Sequence, residues 1–168
     1  LTSLDRLYCE DTRVTSKLLA KLGINMTLKS LSDDSPARAW NRAIEYCMEG
    51  HSVGFITDAG MPGLSDPGRN LLKLAWEHGV TVTGLPGPSS VGSLVALCPF
   101  SCHQFCFQGF APRKSGEIRG FILQIAKSSQ PVFFFDSPKR IHKLLDELCT
   151  KLAPDREILI GRELTKLH

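Results

Sequence analysis

Short apolar runs alternate with amphipathic segments along the whole chain. Helical spacing of apolar residues predicts helices over 12–22, 88–97 and 116–127, and a Ser or Asp followed by Pro predicts further helix starts at residues 35, 66 and 137. Apolar runs of strand length lie between them, at residues 7–9, 26–28, 52–57, 80–83, 105–107, 132–135 and 157–160. Strands separated by such helices form right-handed crossovers and mostly parallel sheets.

The alternation changes character near residues 98–104. Residues 1–102 carry 9 Lys and Arg against 10 Asp and Glu, whereas residues 103–168 carry 11 against 7 and are richer in aromatic side chains. We therefore predict an α/β fold of two small subdomains, an N-terminal domain over 1–102 and a C-terminal domain over 103–168. The basic second half is compatible with a polyanionic partner and equally with ordinary solvated helix faces.

The composition is that of a folded globular protein, since 42% of the 168 residues are hydrophobic and 22% are charged. No apolar run approaches the roughly 18 residues of a membrane-spanning helix, so no membrane association is expected. The six cysteines suit a reduced, cytoplasmic protein. The spacing of Cys98, Cys102 and Cys106 does not match zinc or iron–sulfur motifs, so no metal site is predicted.

Two loops rich in Gly and Pro, residues 57–68 and 84–90, each follow a predicted strand and open a helix. In a parallel sheet such loops lie at the carboxyl ends of the strands, where ligands bind, and glycine lets the backbone approach a ligand closely. Neither loop contains the dinucleotide-binding or NTPase phosphate-binding motif. Tight connections between strand and helix are the structural alternative for both.

Six ordered motifs resemble the tetrapyrrole methylase family. TDAGMP at 57–62 with SDPG at 65–68, followed by PGPSS at 86–90, carries the family resemblance. CEDTR at 9–13, GFAPRK at 109–114, FDSPKR at 135–140 and RELTKLH at 162–168 resemble the branch that methylates the ribose 2′-hydroxyl of a cytidine in small-subunit ribosomal RNA. Family members extend beyond this sequence at both ends, so the N- and C-terminal segments of the family fold are expected to be absent.

The resemblance implies S-adenosylmethionine as methyl donor, held in a cleft between two α/β domains. It also implies ribosomal RNA in the small ribosomal subunit as partner, and a homodimer. The residues that it assigns to the cofactor are Asp58, Ala59, Gly60, Pro62, Ser89, Ser90, Phe110 and Phe135. The basic residues expected to contact RNA are Arg13, Arg113, Lys114, Lys139, Arg140, Arg162 and Lys166.

A ribose hydroxyl needs a proton acceptor during methylation. Glu10, Asp11 and Glu163 lie in motifs of this kind, and Glu10 and Glu163 are the predicted catalytic pair. Each of the three carboxylates has an alternative in a salt bridge to a nearby arginine, Arg13 or Arg162.

Three other functions stay open. The same fold could methylate a tetrapyrrole or another small molecule. A serine hydrolase built on Ser65 would need a partner among the five histidines, none of which is suggestively placed. The chain could also be a non-catalytic module that binds RNA or a protein.

Overall fold

The computed structural model describes residues 1–164, which divide into two compact units. The first unit is Leu1–Pro88 and the second begins at Ser89. The sequence predicts its domain boundary later, between residues 102 and 103. The helix between these two boundaries packs in the second unit, since Leu94 lines the same cavity as residues of the last strand and helix.

The first unit contains a three-stranded parallel sheet in the order β2-β1-β3. Its elements in chain order are β1 (Arg6–Cys9), α1 (Thr12–Lys21), β2 (Leu28–Ser30), α2 (Ala37–Met48), β3 (Val53–Ile56) and α3 (Arg69–Glu77). Cys9 at the end of β1 is in register with Ile56 at the end of β3. The loops that follow these two strands therefore emerge at the same edge of the sheet.

The core of the first unit lies between its sheet and α2. Tyr8, Leu31, Trp40 and Ala43 are buried there, and Phe55 packs against them. Helix α1 buries Thr15 and Leu19, whereas three other apolar residues of the predicted helix, Val14, Leu18 and Leu22, are more than 40% exposed. The apolar spacing of α1 therefore identifies a helix but not its buried face.

The second unit contains a two-stranded parallel sheet backed by helices. Its elements are α4 (Ser90–Ala96), β4 (Cys106–Phe110), α5 (Ser115–Lys127), β5 (Val132–Phe135) and α6 (Ile141–Lys151). Its core consists of Ala111, Phe121, Ile122, Ile125, Leu144 and Leu148. The prediction of an α/β fold with parallel sheets is confirmed.

Two predicted strands are wrong. Residues 80–83 and 157–160 are neither helix nor strand. A strand needs a neighbouring ladder to satisfy its backbone groups, and within residues 1–164 neither segment pairs with one. Val82, Ile158 and Ile160 are accordingly 44%, 46% and 56% exposed.

The three helices predicted to start at a Ser-Pro or Asp-Pro step begin two to four residues after the predicted residue. Helix α2 has Pro36 at its N-cap, because the Ser35 hydroxyl accepts a hydrogen bond from the Ser32 N–H instead. Helix α3 begins after Gly68, whose φ is 118°. Before α6 a turn intervenes, in which the carbonyl of Ser137 accepts from the N–H groups of Arg140 and Ile141.

No helix within residues 1–164 combines the length and apolar character needed to cross a membrane.

Candidate functional site

Glu10 and Asp58 meet at the carboxyl edge of the first sheet. Glu10 follows β1 and its N–H donates to the carbonyl of Ile56 at 3.3 Å. Asp58 follows β3, and its N–H donates to Oε2 of Glu10 at 3.3 Å. The structure thus brings together two residues that the sequence assigns to different roles, one to proton transfer and one to the cofactor.

The loop over residues 57–68 has a specific, internally bonded backbone. Positive φ angles occur at Gly60, Gly63, Ser65 and Gly68, and Ser65 adopts this conformation at 62° although it is not a glycine. The Gly63 N–H donates to the carbonyl of Pro67 at 3.1 Å. Four of the predicted cofactor residues lie exposed on the loop: Asp58, Ala59, Gly60 and Pro62.

Asp66 binds the backbone of this loop, a role that the sequence did not predict. Its Oδ2 accepts a hydrogen bond from the N–H of Met61 at 3.1 Å and lies so close to Gly60 that a side chain there would clash with it. Burial raises the pKa of the half-buried Asp66 carboxyl, and the Met61 N–H partly opposes that shift. The Asp-Pro step predicts a helix cap here, since nothing in the sequence distinguishes a capping Asp from one that binds its own loop.

Asp11 and Arg13 form an ion pair beside this edge. The Asp11 carboxylate caps α1 through the Arg13 N–H at 2.8 Å and accepts from Nη2 of Arg13 at 2.6 Å. These hydrogen bonds to Arg13 lower the pKa of Asp11 to about 2. Asp11 is therefore a weak proton acceptor, and the salt-bridge alternative describes it. The Arg13 side chain remains 86% exposed.

The second loop contains glycines that the fold itself does not require. A methyl group added at Gly84 or Gly87 would meet no atom within 4 Å, and neither residue has a positive φ. Ser89 caps α4, since its Oγ accepts from the Gly92 N–H at 3.2 Å. Ser90 is the exposed first residue of that helix.

Phe110 and Phe135 lie together at the ends of β4 and β5. Their rings are 5.2 Å apart between centroids and tilted by 54°. The parallel register places the two residues opposite each other. Phe110 is 62% exposed, so its ring offers an apolar surface at the strand ends.

Arg140 is bound within the second unit. Its guanidinium forms an ion pair with Asp136 and donates to the carbonyls of Ala111 and Pro112 at 3.2 and 3.1 Å. The Asp136 side chain is only 3% exposed and also accepts from the Ser137 N–H at 2.7 Å. Arg140 therefore ties the loop after β4 to the end of β5. The sequence signal available for the ion pair was the spacing of four residues between Asp136 and Arg140.

The remaining predicted residues of the second unit lie at its surface. Arg113, Lys114, Lys139 and Arg162 are exposed, and Lys114 pairs with Glu117 at 3.4 Å. Glu163 has a positive φ of 48°, which is uncommon for a residue other than glycine. Lys166 lies outside the described residues.

Other chemistry is limited in the described part of the chain. A cavity of about 630 Å³ in the second unit is lined by Asp136 and Arg162 but, among residues 1–164, not by Phe110 or Phe135. Two histidines have other partners: Nδ1 of His51 lies 3.9 Å from Asp5 and Nδ1 of His78 lies 2.9 Å from the carbonyl of Leu74. The described residues contain no cluster of three or more potential metal ligands.

Comparison with known proteins gives a consistent result. The model of the family described as Tetrapyrrole (Corrin/Porphyrin) Methylases matches residues 1–168. Curated relatives named ribosomal RNA small subunit methyltransferase I are 37% identical in Thermotoga maritima, 36% in Vibrio cholerae and 36% in Mycobacterium tuberculosis. These alignments cover 99–100% of this chain, but 75%, 58% and 60% of the respective relatives. The chain thus spans less than two thirds of two of these relatives.

Proposed function

Because the chain belongs to the tetrapyrrole methylase family, we propose that the protein is an S-adenosylmethionine-dependent methyltransferase acting on small-subunit ribosomal RNA. The proposed acceptor is the ribose 2′-hydroxyl of a cytidine. The names of the relatives support the RNA class. The four motifs at 9–13, 109–114, 135–140 and 162–168 support the ribose acceptor. We further propose that the enzyme works as a homodimer in the cytoplasm, as the resemblance implies.

The observation that carries this proposal is the internally hydrogen-bonded loop of residues 57–68 at the carboxyl edge of the first sheet. Residues 58–60 are exposed there, and Gly60, whose exposed atoms are all backbone, has no room for a side chain against Asp66. Gly84 and Gly87 leave open space that a side chain would fill. Backbone exposed at the carboxyl ends of parallel strands fits an adenosyl ligand, so the residues present fit the proposed cofactor.

In the first unit, Asp58, Ala59, Gly60 and Pro62 are the residues proposed to bind S-adenosylmethionine. In the second unit, Ser89, Ser90, Phe110 and Phe135 are those proposed to bind S-adenosylmethionine. When bound, it supplies a methyl group already activated by the sulfonium, which leaves alignment as the main task of the protein. The exposed Phe110 ring offers an apolar surface for the adenine.

We place the proton acceptor at Glu163. Asp11 is unsuited because its ion pair with Arg13 lowers its pKa to about 2. One oxygen of Glu10 is bound to the Asp58 N–H. Glu163 lies in the last sequence motif and has the strained backbone often found at functional sites.

RNA contact is proposed for exposed basic side chains. Arg113 and Lys114 follow the loop that Arg140 ties down, and Lys139 lies exposed at the turn before α6. Arg13 and Arg162 would add contacts, and Lys166 belongs to the same proposed set. Arg140 would act chiefly by fixing the loop that presents Arg113.

Methyl transfer with the intact protein and labelled S-adenosylmethionine tests this function. We expect label in the RNA of isolated small ribosomal subunits and none in a porphyrinogen offered in parallel. Asp58→Ala should lower the transfer rate at least about tenfold, the equivalent of one lost hydrogen bond to a charged group. The matched control is Asp34→Ala in an exposed turn, which should leave the rate unchanged. Label in the porphyrinogen alone would favour the small-molecule alternative.

A further inference from the structure

Two carboxylates from outside residues 58–61 hold this stretch of the loop at both ends. At its start, the Asp58 N–H donates to Oε2 of Glu10 at 3.3 Å. At its end, the Met61 N–H donates to Oδ2 of Asp66 at 3.1 Å. Glu10 is fixed by β1, and Asp66 lies on the far side of the loop, just before α3.

We propose that Glu10 and Asp66 are positioning residues that hold the backbone of residues 58–61 in the shape that binds S-adenosylmethionine. The inference rests on the proposed function of this loop. It gives Glu10 a task other than accepting the substrate proton, and it gives Asp66 a task beyond starting a helix.

The physical reason is preorganisation. Residues 58–60 are exposed and belong to no helix or strand, so a ligand would have to order them on binding unless the protein does so beforehand. Hydrogen bonds from N–H groups to carboxylates are among the stronger ones available for this purpose. The strand β1 supplies a rigid base for Glu10, because its register against β3 is fixed up to Cys9 and Ile56.

Asp66 fits the loop in a second way. Gly60 has a φ of 76°, and its Cα faces Oδ2 of Asp66 without room for a side chain. The Asp66 carboxylate thus occupies the space that a side chain at residue 60 would need. It also accepts a hydrogen bond from the Met61 N–H. Burial of Asp66 disfavours its charged form, so an amide of the same shape could accept the Met61 N–H with a smaller desolvation cost.

Paired variants separate positioning from proton transfer. Glu10→Gln and Asp66→Asn keep an oxygen acceptor, whereas Glu10→Ala and Asp66→Ala remove it. Glu45→Ala, which removes an exposed carboxylate from α2, is the matched control. In each intact variant, NMR measures hydrogen exchange at the amides of residues 58 and 61, and calorimetry measures the Kd of S-adenosylhomocysteine.

The two alanine variants should speed amide exchange, Glu10→Ala at Asp58 and Asp66→Ala at Met61. Each should also weaken S-adenosylhomocysteine binding about tenfold, as expected for one lost hydrogen bond to a charged group. The Gln and Asn variants keep an oxygen acceptor, so their Kd for S-adenosylhomocysteine should stay within about twofold of the wild-type value. Unchanged exchange and Kd in the alanine variants would overturn the inference.

The same variants distinguish this inference from the proposed function. If Glu10→Gln binds S-adenosylhomocysteine normally but loses methyl transfer, with the pH dependence of the rate abolished, Glu10 is the proton acceptor and the positioning role is wrong. If the wild type itself binds no S-adenosylhomocysteine, the proposed function fails and the cofactor part of the inference fails with it. Binding by the wild type that the alanine variants match would refute the inference alone.

Discussion

Glycines in the two loops serve different purposes, and the difference is visible residue by residue. Gly68 has a φ of 118°, and a methyl group added there would lie 2.8 Å from Cε1 of Phe55. Gly87 has neither constraint. The fold therefore requires glycine at the first position, whereas at the second only a bound ligand would.

Gly68→Ala should destabilise the protein by about 2 kcal/mol, because it combines a strained backbone with a steric clash. Gly87→Ala should change the free energy of unfolding by less than about 0.5 kcal/mol, yet weaken S-adenosylhomocysteine binding. Urea unfolding and calorimetry measure the two effects. A Gly87→Ala variant that binds as the wild type does would remove the second loop from the cofactor site.

Asp11 makes the stability of the folded protein depend on pH in the acid range. Its pKa in the folded protein is about 2, below the ordinary 3.8, because Arg13 binds the charged form. As the pH falls, the unfolded chain therefore takes up this proton first. The stability that Asp11 contributes is present above pH 4 and is lost between about pH 4 and pH 2.

Asp11→Asn should abolish that part of the pH dependence, while asparagine still caps α1. Urea midpoints of the wild type and Asp11→Asn, measured from pH 2 to pH 6, should differ above pH 4 and converge near pH 2. Asp34→Asn, in an exposed turn, should follow the wild type throughout. Parallel curves for the wild type and Asp11→Asn would contradict the ion pair.

At the scale of helices and strands, the sequence predicts which elements exist better than it predicts where they begin and end. The Ser-Pro step at residue 35 correctly predicts that α2 exists, and Trp40, Ala43 and Ile44 form its buried face. Residues 80–83 have the apolar pattern of a strand, but a strand forms only where a neighbour pairs with it. Helix starts were missed for a similar reason, since Ser35 and Asp66 bind loop N–H groups instead of capping.

The contacts of Arg140 link β4 to β5 and give this predicted RNA-binding residue a structural role. Arg140 joins the buried carboxylate of Asp136 to two carbonyls after β4. Removing one partner of a buried ion pair leaves the other charge uncompensated. The local sequence, a basic residue before a helix, predicts RNA contact and gives no sign of the carbonyls of Ala111 and Pro112.

Arg140→Met should therefore lower the free energy of unfolding by about 3 kcal/mol. The neighbouring Lys139→Met, at an exposed position, should change it by less than about 0.5 kcal/mol. Urea unfolding of both variants tests the contrast. Equal stability of the two variants would mean that Arg140 is not a structural brace.

On the scale of the whole molecule, the motifs predict which loops matter but not how each carboxylate is bound. Glu10 and Asp11 are adjacent in the sequence and both lie in the motif that suggests a proton acceptor, yet one binds the Asp58 N–H and the other binds Arg13. Their partners are set by the register of β1 against β3 and by the start of α1. Such pairings arise from tertiary structure, which local sequence patterns do not encode.

The position of the transferred methyl group tests the central claim most directly. Small-subunit RNA labelled by the intact protein would be digested to nucleosides, separated and analysed by mass spectrometry. We predict that the label is recovered in 2′-O-methylcytidine. Recovery in a nucleoside methylated on its base would contradict the ribose acceptor, and absence of label from the RNA would contradict the proposed function as a whole.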